Sequence, residues 1–119
     1  MAATRILHCD DASGYRVLVR EMLRPCPDLC IVETASDHAD AVRKAAAVQP
    51  DVVLLDLDAS RDEQVVSRLR EVCSARLVVL SGNDDLPRDP LVMQADGFLS
   101  KAEPFGRIAE VVRDVSPNT

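Results

Sequence analysis

Two runs in this chain are apolar without a break: Val52-Val53-Leu54-Leu55, closed by Asp56, and Leu77-Val78-Val79-Leu80, closed by Ser81. A strand with one face in water alternates apolar and polar residues, so an unbroken run implies cover on both faces. That is the condition of a parallel sheet sandwiched between helices. Shorter runs extend the pattern, with Ile6-Leu7-His8-Cys9 and Cys30 to Ala35 before them and Gly97-Phe98-Leu99-Ser100 after.

Amphipathic stretches fill the intervals. Residues 13–24 bring Leu18, Val19, Met22 and Leu23 to helical spacing, with Ser13 as an N-cap, before Pro25 and Pro27 stop the helix. Asp37 caps a second helix through Val42, Ala45 and Ala46, which ends before Pro50. Residues 62–73 gather Val65, Val66, Leu69, Val72 and Cys73 on one face. Residues 82–94 are irregular, with a short helix near Leu91. Pro104 suits the first turn of a last helix whose face is Phe105, Ile108, Ala109, Val112 and Val115. Strand and helix therefore alternate five times, which predicts an α/β fold: a five-stranded parallel, doubly wound sheet with helices on both faces.

The chain has 119 residues, the size of one domain, with 47% hydrophobic and 29% charged residues. A net charge of -6 argues against direct nucleic-acid binding or an anionic membrane as partner. No apolar run reaches membrane-spanning length, and the start of the chain turns acidic at Asp10-Asp11, so a cytoplasmic protein is expected. Cys9, Cys26, Cys30 and Cys73 form no CxxC pair and only two histidines exist, which argues against zinc; reduced thiols are expected.

A sheet of this kind binds ligands beyond the carboxyl ends of its strands. Four of the five runs end there in polar residues: Asp10-Asp11, Asp56, Ser81-Gly82 and Lys101. Three carboxylates in one crevice repel one another, and a hard divalent cation relieves that repulsion. Magnesium suits, since it takes few carboxylates and keeps waters for phosphate oxygens. Lys101, one of only two lysines, pairs with a carboxylate or holds a phosphoryl oxygen, and Ser81 offers a hydroxyl. A carboxylate can itself be the nucleophile, and Asp56, at the centre, is the candidate. Singly, each of these residues has a plainer reading as a cap, a turn or a solvated surface group. Their coincidence at four strand ends favours chemistry. Phe98 reads equally as core or as a switch, His8 as a satisfied core or edge histidine, and Arg61, Arg68, Arg70 and Arg76 as a solvated face.

Asp10-Asp11, SGYRVLVREML, PDVVLLDLD, LVVLSG and ADGFLSK together resemble the receiver domain of response regulators, the chemotaxis-type module of two-component signalling. The resemblance covers residues 1–119 as one receiver (phosphoacceptor) domain and implies a flavodoxin-like sheet in the order 2-1-3-4-5. It implies that Asp56 accepts a phosphoryl group from a sensor histidine kinase or phosphotransfer protein. Asp11 then ligates Mg2+ directly, Asp10 mainly through water, and the backbone carbonyl of Asp58 completes the set. Lys101 grips a phosphoryl oxygen, while Ser81 and Phe98 are the switch residues. The partners implied are that kinase, an output domain or target protein, and a second copy in a homodimer. The chemistry implied is self-phosphorylation and dephosphorylation, with no turnover of another substrate.

The chain departs from the family in three places. Asp58-Ala59-Ser60-Arg61-Asp62 lacks the usual Pro and Gly, Ala102 follows Lys101 where many members have Pro, and the interval from Ser81 to Lys101 is short. A short or irregular fourth helix is expected. Two rivals remain open. One is a receiver-like protein-binding module that is never phosphorylated. The other is a haloacid-dehalogenase-like phosphatase, which Asp56-Leu57-Asp58-Ala59-Ser60, Ser81 and Lys101 also resemble. Against the phosphatase, the acid pair precedes the nucleophile, and only Glu103, Glu110 and Asp114 follow the lysine.

Overall fold

Each apolar run forms a strand in the computed structural model, which describes residues 3–57, 62–82, 89–104 and 106–117. The strands are β1 (Thr4–Cys9), β2 (Leu29–Ala35), β3 (Val52–Asp56), β4 (Arg76–Ser81) and β5 (Gly97–Ser100). The helices between and after them are α1 (Ser13–Leu23), α2 (His38–Val48), α3 (Val65–Val72), α4 (Pro90–Gln94) and α5 (Gly106–Val115). All four strand pairings are parallel, in the order β2-β1-β3-β4-β5. This is the doubly wound, flavodoxin-like arrangement.

The unbroken runs lie in the interior of the sheet, as their composition requires: every residue of β3 is buried, and so is β4 beyond Arg76. Alternate residues feed two separate cores. Leu7, Cys9, Val53, Leu55, Leu77 and Val79 meet α2, α3 and α4 on one face. Ile6, Val52, Leu54, Val78 and Leu80 meet α1 and α5 on the other. Gly97 of β5 packs closely under α5. A Cβ there would stand 3.2 Å from Val111 and 3.3 Å from Val115, tighter than ordinary van der Waals contact.

The helix boundaries refine the sequence reading. Ala12, not Ser13, is the N-cap of α1, and it makes no side-chain cap bond. In α1, Val19 and Leu23 are buried, whereas Leu18 lies exposed beside Val17. Asp37 does cap α2, accepting a hydrogen bond from the Asp40 amide. That helix closes at Gln49 in a left-handed turn (φ 50°), and the Arg5 guanidinium donates to the Val48 and Gln49 carbonyls there. The third helix starts at Val65 rather than at residue 62. Asp62 instead turns the chain, its carbonyl accepting from Val65 N–H and its carboxylate from Gln64 N–H. The fourth helix is short, five residues capped by Asp89. Phe105, read into the last helix face, lies outside the described residues.

Candidate functional site

The strands stop where the polar residues begin. The last β1–β3 pair is Cys9 with Leu55, so Asp10 lies just past β1, and Asp56, the last residue of β3, is paired only with Leu80 of β4. Asp10 is then fixed by its neighbours. Its amide donates to the Ala35 carbonyl, its carboxylate accepts from Ala12 N–H at 2.9 Å, and its carbonyl accepts from the Arg16 guanidinium. Asp10 and Asp56 are completely buried, whereas Asp11 is exposed at the mouth. One carboxylate oxygen from each of Asp10, Asp11 and Asp56 lies within 4.8 Å of the others.

Lys101 follows β5, its backbone amide bonded to the Ser81 carbonyl at 2.8 Å. Its ammonium lies 2.8 Å from Asp10 and 3.0 Å from Asp56. Burial works against that charge, but the hydrogen bonds to the two carboxylates outweigh it and hold the lysine above its ordinary range. Ser81 is buried at the end of β4. Asp10, Asp11, Asp56, Ser81 and Lys101 thus occupy one end of the sheet, as their strand-end positions suggested. Asp58 lies outside the described residues.

Two single-residue readings need correction. Phe98 is 49% exposed on the edge strand, so it is not a plain core residue. His8 is fully buried, yet neither ring nitrogen has a hydrogen-bond partner among the described residues, so it does not read there as a satisfied core histidine. It meets the Tyr15 ring edge-on, with centroids 5.9 Å apart. Burial is the main cause that lowers its pKa to about 4, against the opposing pull of Asp10. Cys9, on the opposite face of β1, is held inert: burial first, then Asp56 and Asp10, push its thiol up to about 12.

Three residues around the site escaped the sequence reading. Tyr15 lies under the Lys101 ammonium, 4.6 Å from ring centroid to Nζ. Arg16 holds the Asp10 carbonyl. His38 reaches the Asp56 carbonyl from α2. The signal available for the first two was their place one turn into the helix that follows the acid pair; for His38 it was only its position beside the cap Asp37. Of the acidic residues after Lys101, Glu103 just before α5 and Glu110 within it pair with Arg107, and Asp114 is exposed near the end of α5, so none of the three is placed as a late acid pair for the phosphatase reading.

The class of protein follows from this sheet and its acidic end. The chain superimposes on the signal receiver domain of NarL from Mycobacterium tuberculosis with a TM-score of 0.83 and 28% identity, over 96% of each chain. It also matches the response regulator domain of Thermotoga maritima CheB, with a TM-score of 0.78 and 20% identity over 95% of this chain and 93% of that one. The chain is a response-regulator receiver domain, the module of two-component signalling.

Among curated proteins, the transcriptional regulatory protein LiaR of Bacillus subtilis is 28% identical over 117 residues, 94% of this chain and 56% of LiaR. A protein-glutamate methylesterase/protein-glutamine glutaminase of Methanospirillum hungatei is 29% identical over 114 residues, 90% of this chain and 33% of that protein. The chain therefore spans between about a third and about half of the length of these relatives. The CheB structure it matches is that protein's response regulator domain, so the methylesterase name carries no activity over to this chain. No family model matches. Among the described residues, no helix is long and apolar enough to cross a membrane.

Proposed function

We propose that residues 1–119 act as one receiver domain that takes a phosphoryl group on Asp56 in a magnesium-dependent reaction and changes its output surface in response. The observation that carries this reading is the Asp10–Asp11–Asp56 cluster, with oxygens within 4.8 Å of one another and the Lys101 ammonium against two of the three.

This group fits a hard cation. All its donors are carboxylate oxygens, and one ammonium among three carboxylates leaves it net negative. Asp11 would ligate the cation directly and Asp10 mainly through water, with Asp56 and, as the family resemblance implies, the backbone carbonyl of Asp58 completing the set. When bound, Mg2+ neutralises charge on the carboxylates and on the incoming phosphoryl oxygens.

The donor is the phosphohistidine of a sensor kinase or of a phosphotransfer protein. An Asp56 carboxylate oxygen forms the new P–O bond as the donor's P–N bond breaks. The departing imidazole keeps the electron pair and takes a proton from solvent. Lys101 leaves its contact with Asp56 to hold a phosphoryl oxygen. The added group brings about -1.5 to -2 charge and strong acceptor oxygens, which draw the Ser81 hydroxyl toward it. Phe98, half-exposed one strand away, turns inward behind Ser81 and changes the face offered to an output domain, a target protein or a second copy. Such a module works in the cytoplasm, beside the kinase domain that charges it.

Incubation with a small phosphodonor and Mg2+, read by intact mass, tests the reading. Expected is a gain of one phosphoryl group that is absent in Asp56→Ala and with a chelator. No gain with any donor would leave a protein-binding module, and release of phosphate from a generic aryl phosphate would make the chain a phosphatase.

A further inference from the structure

We propose that His38 is a positioning residue for the phosphoacceptor, acting through the backbone of Asp56; this rests on the reading of Asp56 given above. In a parallel strand, the peptide carbonyl after Asp56 points away from the Leu57 amide. That amide donates to the Leu80 carbonyl of β4 at 2.9 Å, so the Asp56 carbonyl faces the β1 side. There β1 has already ended, its last pair with β3 being Cys9 with Leu55. A buried carbonyl beyond the ladder needs a donor. His38, the first residue of α2 and itself fully buried, supplies it: Nε2–H donates to the Asp56 carbonyl at 2.8 Å.

The opposite ring nitrogen is also used. Asp62 N–H donates to His38 Nδ1 at 3.0 Å. A carbonyl can only accept and an amide N–H can only donate, so these two partners place the ring proton on Nε2. Each bond reinforces the other through the polarised ring. The 56–57 peptide is thereby held on both sides, by His38 toward α2 and by Leu80 toward β4. The same ring also fixes Asp62, whose carbonyl and carboxylate open the turn into α3. One imidazole thus ties the strand that carries the phosphoacceptor to the entry of the following helix. With the peptide plane set, the Cα–Cβ direction of Asp56 is set, and misplacement of a reacting carboxylate by about 1 Å costs on the order of a hundredfold in rate.

The test separates the two bonds. A Gln amide reaches where Nε2–H was and keeps the donor to Asp56. An Asn carbonyl sits where Nδ1 was and keeps only the acceptor for Asp62. His38→Leu keeps neither. Each variant and the wild type are phosphorylated with a small phosphodonor at saturating Mg2+. The rate at high donor, the donor concentration at half-maximal rate and the thermal midpoint are recorded. Expected is a rate at least tenfold lower for His38→Leu with the half-maximal donor concentration unchanged, recovery to within about threefold in H38Q, and no recovery in H38N. A wild-type rate in His38→Leu overturns the proposal, as do equal rates in H38Q and H38N. If His38→Leu does not fold, the contrast between H38Q and H38N decides alone. Wild-type protein that gains no phosphoryl group is a different failure: it removes the reading of Asp56 itself, before any variant is compared.

Discussion

Lys101 Nζ lies 4.6 Å from the centroid of the Tyr15 ring, so its ammonium is held between an aromatic face and the carboxylates of Asp10 and Asp56. A partly desolvated contact of this kind is worth about 1 kcal/mol, or roughly fivefold in a rate that depends on where the ammonium stands. Tyr15→Leu is therefore expected to slow phosphorylation by a small donor about fivefold, while Tyr15→Phe, which keeps the ring, stays near wild type. Equal losses in both would transfer the effect from the ring face to the hydroxyl.

The same ammonium balances two buried carboxylates in the absence of metal. Lys101→Met removes the ammonium that bridges the buried carboxylates of Asp10 and Asp56. Breaking a buried ion pair in this way costs roughly 3 kcal/mol. A divalent cation can then take the place of the ammonium. Urea unfolding should show Lys101→Met less stable than wild type with chelator present, and a larger stabilisation by Mg2+ in the variant than in wild type. Equal Mg2+ stabilisation in the two proteins would mean that Lys101 and the metal do not share these carboxylates.

Asp11 is the exposed member of the cluster, and Asp10 the buried one that already serves Lys101 and the Ala12 amide. An incoming cation displaces least when it enters at Asp11. Mg2+ affinity should fall at least about tenfold in Asp11→Ala and less in Asp10→Ala. The chain reports this itself, because Tyr15 is its only tyrosine and it has no tryptophan. Tyrosine emission titrated with Mg2+ should follow the ranking, and equal, negligible changes in both variants would place the metal elsewhere.

The sheet and most of the site were legible in the sequence because both depend on short-range rules. Val52–Leu55 and Leu77–Leu80 announce two-sided burial by composition alone, and Asp10, Asp56, Ser81 and Lys101 are strand-end residues whichever helices cover the sheet. What was not legible depends on where separate elements land. Leu18 has the spacing of a buried helix residue but faces outward, since α1 rolls to bury Val19 and Leu23 and to turn Tyr15 and Arg16 toward the site. Residues 62–64 have helical composition but form a turn, because the Asp62 amide is taken by His38 and its carbonyl closes back on Val65. No local pattern shows that the first residue of α2 will reach the carbonyl of a phosphoacceptor candidate 18 residues away.

His8 is the remaining case of tertiary placement prevailing over local preference, and it makes stability depend on pH. The buried ring keeps its neutral form, with a pKa lowered to about 4 from 6.5 chiefly by burial. Below pH 6.5 the unfolded chain binds a proton that the native state refuses, so stability falls as pH drops toward 4 and rises as pH increases through that window. Between pH 7.5 and pH 5 this one group removes about 2 kcal/mol, from the two pKa values and the usual 1.36 kcal/mol per unit. Carboxylates titrate over part of the same range, so the difference between wild type and His8→Leu is the quantity to measure. Leucine fills a similar volume and leaves no buried nitrogen without a partner. Urea unfolding at pH 7.5 and pH 5 should find the variant gaining about 2 kcal/mol on wild type at the lower pH. A difference independent of pH would mean that the imidazole takes up its proton inside the fold, with Asp10 outweighing burial.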